Sequence, residues 1–175
     1  MKKFLSVLLA FLLVMPLAAF ALDLDLSKLT DEELSKLSEA IAAEQQNRAK
    51  GGKDYLFFKT YGDMNVGITG VEVLKDGDKK VLVVKYDFSH NSPDPVSSLF
   101  SAGFVVYQDG KDLDPSLFYE HPTMYNLTTE IKQGEVIEVS KGFLLISDSP
   151  VEIHVSKLLD FSGTAPDVIT VELPK

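Results

Sequence analysis

With no cysteine in its 175 residues, the chain has no thiol nucleophile and no zinc–thiolate site, so nucleophilic or metal chemistry falls to three histidines and the carboxylates. A serine triad needs a histidine in reach of both a serine and a carboxylate. His154 alternates with Glu152 and Ser156 on the polar parity of a strand-like run, Val151 to Ser156, which reads as a solvated side chain. His90 falls in the polar run Ser89-His90-Asn91-Ser92-Pro93-Asp94-Pro95, and His121 in a long irregular stretch from Lys111 to Asn126; both read as loop histidines. No Gly-x-Ser-x-Gly, His-Glu-x-x-His, Gly-x-x-x-x-Gly-Lys or Gly-x-Gly-x-x-Gly motif is present. Asp76, Asp78, Asp109, Asp112 and Asp114 cluster in turns, where aspartate is favoured by local backbone hydrogen bonding, rather than as a pair facing each other across a cleft. Asp109, Asp112 and Asp114 are close enough in sequence for an oxygen-ligand calcium site, but they lack the spacing and closing glutamate of an EF-hand, so a solvated acidic turn is the simpler reading. The expectation is a non-enzymatic protein without a cofactor.

Recognition is better provided for. Phe118 to Tyr125 holds Tyr119, His121 and Tyr125, amphipathic side chains that offer area with a polar tip. Together with His90 they are the candidate ligand-binding residues. The alternative is that Phe118, Met124 and one tyrosine cap the open end of the fold. The net charge of −9 excludes nucleic acid and anionic membranes as favoured partners. Residues 1–21 read as a signal peptide: Lys2 and Lys3 precede an apolar run from Leu5 to Val14, Pro16 breaks it, and Ala19-Phe20-Ala21 is a small-x-small cleavage site. Cleavage takes the net charge to −11 and leaves no membrane span, so the expected location is secreted or extracellular, or periplasmic in a Gram-negative cell.

The elements that must position these residues are mostly strands. Lys80 to Phe88 is the organising one: Leu82, Val84, Tyr86 and Phe88 form an apolar face, while Val81, Val83, Lys85 and Asp87 become polar towards the end, predicting a strand half wet there. Asp76-Gly77-Asp78 turns the chain into it from Met64–Leu74, where the apolar parity changes at Gly70 and predicts a bulge. Further apolar runs span Leu99–Gln108, ending at Asp109-Gly110, then Val136–Ile146, Val151–Val155 and Asp167–Leu173, with a short run at Thr128–Ile131. Tyr55–Phe58 reads as an edge strand or as a segment buried between helix and sandwich. Before these stands an amphipathic helix, with Thr30 and Glu33 as a capping box and Gly51-Gly52 as its stop. Its stripe of Leu34, Leu37 and Ile41 either covers the core or docks a partner. The architecture is mainly β, an antiparallel immunoglobulin-like sandwich of about seven strands with one N-terminal helix, divided into residues 22–52 and 53–175.

Val81–Phe88 followed by Asn91-Ser92, Phe104-x-x-Tyr107-Gln108-Asp109-Gly110-x-x-Leu113, Ile131-Lys132-Gln133-Gly134 and Pro150-Val151-Glu152 resemble, in that order, the domain of unknown function 5067 family of Gram-positive secreted proteins and lipoproteins. The resemblance spans Met64 to Leu173. It implies an immunoglobulin-like sandwich and brings no catalytic residues. The chain departs from lipoprotein relatives in lacking a cysteine to carry lipid, and from the family in having Gln133-Gly134 at an expected Pro-Gly turn.

The expected function is a binding or interaction module for a protein or cell-envelope component, as a monomer or weak homo-oligomer. A secreted inhibitor or regulator of an extracellular enzyme is the alternative, and a hydrolase using the acidic loops the third reading.

Overall fold

Thr30 and Glu33 cap each other as their spacing requires: the Thr30 N–H donates to Glu33 Oε2 at 3.0 Å, and the Glu33 N–H donates to Thr30 Oγ1 at 3.3 Å. The exposed Glu33 carboxyl is held below its usual range mainly by that Thr30 backbone bond. The structure, a computed structural model, describes residues 29–116, 121–159 and 163–174. Residues 1–21, read as a signal peptide, and Phe118 and Tyr119 lie outside them. Helix α1 runs Asp31–Lys50 with three acidic residues in its first turn, and ends where Gly51 and Gly52 adopt φ of 58° and 76°. Leu34 and Leu37 are half-buried and Ile41 is 50% exposed. The chain divides into two compact units between Ala42 and Ala43, within this helix, and every strand lies in the second. Among the described residues no helix is long and apolar enough to cross a membrane.

Eleven strands follow: β1 (Phe57–Tyr61), β2 (Met64–Asp76), β3 (Lys79–His90), β4 (Val96–Ser97), β5 (Ala102–Gln108), β6 (Lys111–Asp112), β7 (Pro115–Ser116), β8 (Glu130–Ile131), β9 (Val136–Leu144), β10 (Val151–Lys157) and β11 (Asp167–Val171). Among the described residues seven of the eleven have five or more residues; the other four have two each, β8 inside the short run read at Thr128–Ile131 and β4, β6 and β7 in stretches not read as strand. Sheet 1 has the order β1-β2-β3-β9-β7 and sheet 2 the order β11-β10-β5-β6, with β4 and β8 paired separately. All pairs are antiparallel.

The long β2–β3 hairpin turns at Gly77-Asp78, and its register shifts between Ile68 and Gly70, where the parity change predicts a bulge. The β5–β6 hairpin turns on Asp109 and Gly110, both with positive φ (52° and 73°), the conformation that suits Asp-Gly to a two-residue hairpin. Leu82, Val84, Tyr86 and Phe88 point from sheet 1 towards Val106, Val151, Ile153 and Val155 of sheet 2, and all eight side chains are fully buried. Burial contributes about 1.5 to 3 kcal/mol for each large apolar side chain. Ile169, Val171 and Leu173 complete this core on one parity, as read from the sequence. Edge strands β1 and β11 are tied across the sandwich by Asp167, which accepts from Lys59 Nζ at 2.7 Å and Tyr61 Oη at 2.9 Å. Burial, then that bond, pushes the Tyr61 hydroxyl well above its ordinary pKa.

Candidate functional site

The outward parity of sheet 1 collects more polar chemistry than any other surface described. In register, β3 presents Val81, Val83, Lys85 and Asp87 beside Leu144, Gly142, Ser140 and Glu138 of β9. Glu72 and Gly67 of β2 flank them on the other side. The wet end expected at Asp87 is corrected: Asp87 is 5% exposed. The segment between α1 and β1 lies over it, and Asp87 Oδ2 accepts from both Lys53 Nζ and Tyr55 Oη at 2.7 Å. A buried carboxylate is tolerated only with such partners. In turn Asp87 holds the Lys53 ammonium above its ordinary pKa. The Tyr55 hydroxyl is also raised, by burial first and Asp87 second. The Tyr55 ring lies so close to Gly67 that a Cβ there would sit 2.5 Å from it, so the glycine is needed for the approach.

A second segment crosses the same face. The stretch read as wholly irregular contains β6, β7 and a 3-10 turn at Met124–Thr128. His121 places Nε2 2.6 Å from Glu72 Oε1, a contact poorly directed for hydrogen bonding, since that buried oxygen has no well-formed hydrogen bond. Its Nδ1 meets Thr123 Oγ1 at 2.8 Å and Ser140 Oγ at 3.3 Å and accepts the Thr123 N–H at 3.3 Å. Lys85 Nζ stands 3.7 Å from the other Glu72 oxygen. Ser140, His121 and Glu72 are the residue types of an acyl-transfer triad. However, Ser140 is fully buried, and the nitrogen facing it already accepts from Thr123. That arrangement orients a loop; it does not offer a hydroxyl to a substrate.

From this 3-10 turn Met124 packs on Val81 and Val83 of the outer face, Leu127 packs on the main core, and Tyr125 points away, 73% exposed. Asn126 Nδ2 donates to the Glu138 carbonyl at 2.7 Å, covering part of β9 where β7 does not pair. Leu99 and Phe100, in the apolar run read as strand, instead form a 3-10 turn at Ser98–Phe100 that lies beside the Met124–Thr128 turn. Phe100 is 74% exposed. Sequence reasoning missed it because an apolar run reads as strand; the serines at 97, 98 and 101 were the signal available.

The remaining candidates separate. His90 is corrected from a loop to the last residue of β3: it is buried, with Nε2 2.8 Å from the Ile131 carbonyl, because β3 runs on past Phe88 and pairs with β2 as far as Met64. His154 lies on the outer face of its strand but is half-buried rather than solvated, with its ring against Tyr107 at 4.8 Å and its Nε2 covered. Asp109, Asp112 and Asp114 do not converge: among the described residues no group of three metal-ligating side chains is suitably placed. Asp109 is engaged by its turn, accepting the Ser147 hydroxyl at 2.7 Å; that bond and one from Ser149 hold its carboxyl below the usual range. Asp112 and Asp114 are exposed.

One family model, described as a domain of unknown function (DUF5067), matches residues 38–157, which takes in β1 through β10. The chain belongs to this family. Among solved structures, this DUF5067 chain is similar to one described as a "putative lipoprotein" from Staphylococcus aureus, at 13% identity and a TM-score of 0.52, covering 66% of this chain and 92% of that one. That likeness shows a shared fold. A second, a "putative lipoprotein (ycdA)" from Bacillus subtilis, is 16% identical with a TM-score of 0.48 and covers 69% of the DUF5067 chain, which spans 39% of that chain's length. No curated protein matches the sequence.

Proposed function

We propose that this DUF5067 chain is a secreted, non-enzymatic interaction module of the bacterial cell exterior, and that it meets its partner through Phe100 and Tyr125. The observation that carries this reading is the exposure of two aromatic side chains, 74% and 73%, on adjacent 3-10 turns. Exposed aromatics of this kind are the anchors on which interfaces are built. The exterior location is supported by the signal-like residues 1–21 and by the lipoprotein description of the S. aureus structure. The burial of Ser140 favours binding over hydrolysis.

The experiment is capture from cell-envelope and culture-fluid extracts by the chain starting at Leu22, beside a Phe100→Ser/Tyr125→Ser double variant and a version lacking residues 22–52. A partner held by the wild type and by the shortened version but lost by the double variant supports the reading. A partner held equally by the double variant moves the contact elsewhere. One lost only without residues 22–52 assigns it to the Leu34, Leu37 and Ile41 stripe.

A further inference from the structure

We propose that residues 121–128 form a releasable strap over the outer face of sheet 1, with the Glu72–His121 contact as its latch, so that Glu72 and His121 are positioning residues for Tyr125. The proposal rests on the reading of Tyr125 as a contact residue and adds the element that would control its presentation.

Three kinds of attachment hold the strap, and they differ in strength. Met124 and Leu127 supply apolar packing, on Val81 and Val83 and on the main core respectively. Asn126 supplies a neutral hydrogen bond to the Glu138 carbonyl, and His121 Nδ1 a longer one with Ser140 Oγ at 3.3 Å. His121 supplies the only attachment to a charged group, and it is the irregular one: Nε2 is 2.6 Å from Glu72 Oε1 without a well-formed hydrogen bond, although that oxygen is buried. The imidazole edge still lies against the carboxylate's charge, while the poor hydrogen-bond geometry of that oxygen in the closed state lowers the cost of opening it to water. Directly opposite, the Lys85 ammonium lies 3.7 Å from Glu72 Oε2 and remains with the carboxylate when the imidazole leaves. Nδ1 accepts the Thr123 N–H, so the proton on the neutral ring is on Nε2, facing Glu72.

Within the strap, few backbone bonds report on its state: Met124 N–H to the His121 carbonyl at 3.1 Å, Asn126 N–H to Thr123 at 3.2 Å and Thr129 N–H to Asn126 at 3.2 Å. All three close one short 3-10 stretch that does not persist in water without its packing, so they are lost together if the strap lifts. Nothing in β10 or β11 depends on them.

Amide hydrogen exchange of the wild type, Glu72→Gln and Asn126→Ala tests the latch without any partner. Glu72→Gln keeps the side-chain shape while removing the charge. The Met124, Asn126 and Thr129 amides should exchange about tenfold faster in Glu72→Gln, the scale of one lost close contact to a charged group, with β10 and β11 unchanged. Asn126→Ala should accelerate the same amides less. Unchanged exchange in Glu72→Gln would overturn the latch. So would acceleration spread equally into β10 and β11, because Glu72 would then support the whole sandwich. A failure of the contact reading looks different: Phe100→Ser/Tyr125→Ser would retain the partner while the exchange pattern of Glu72→Gln stood.

Discussion

Val83 on sheet 1 and Val105 on sheet 2 both point away from the main core, yet the first is fully buried and the second is 40% exposed. The strands that carry them are alike in alternation. What differs is what crosses them: the outer face of sheet 1 lies under Lys53–Tyr55 and under His121–Thr128, whereas among the described residues no such segment is held over the row of Val105, His154 and Val168 on sheet 2. Each covering segment is held to an acidic residue in a central strand, Asp87 or Glu72. The lesson is that a charge at a solvent-parity position can be an anchor for distant chain as well as a mark of exposure.

Substitutions at matched positions on the two faces should break this contrast if it is wrong. Asp87→Ala should cost the most, about 3 kcal/mol, because it removes a buried carboxylate that accepts two hydrogen bonds; Glu152→Gln on the bare face should cost less than about 0.5 kcal/mol in the same urea titration. Gly67→Ala should cost about 2 kcal/mol, since its Cβ would meet the Tyr55 ring at 2.5 Å, while Gly103→Ala should be near neutral because its nearest neighbour is the rotatable Ser156 hydroxyl at 2.8 Å.

Lys141 sharpens the comparison from inside. It points between the sheets, donates to the Ala102 carbonyl at 2.8 Å and lies over the Phe104 ring at 4.8 Å, and burial lowers its pKa to about 8. The folded state therefore disfavours the ammonium below pH 8, and stability should rise as pH climbs from about 8 towards 10.5, where the unfolded chain still binds the proton. Lys141→Met should remove that rise and stabilise the protein at pH 7 by about 1 kcal/mol, net of the lost carbonyl bond. Smallest of all, Val105→Thr and Val168→Thr should each change stability by less than about 0.5 kcal/mol.

How far these features could be read from the sequence follows the same division. Leu82 to Phe88, Val151 to Val155 and Ile169 to Leu173 face the core as their period predicts, because a two-residue alternation is a local property. The capping box, the Gly70 bulge and the Asp-Gly hairpin were legible for the same reason. The burial of Asp87 and the covering of Glu72 Oε1 were not, since they depend on residues 32 and 49 positions away in sequence. His121 was singled out as a candidate ligand-binding residue, and alternation could not say that it would face Glu72. His90 was misplaced because polar neighbours hid the last pairing of β3.

The absence of cysteine allows the central claim to be tested directly, by comparing thiol labelling of Val83→Cys and Val105→Cys in the otherwise cysteine-free chain. Orders-of-magnitude slower labelling at position 83 is the result expected of a strapped face beside a bare one. Similar rates at the two positions, with both variants folded, would contradict it.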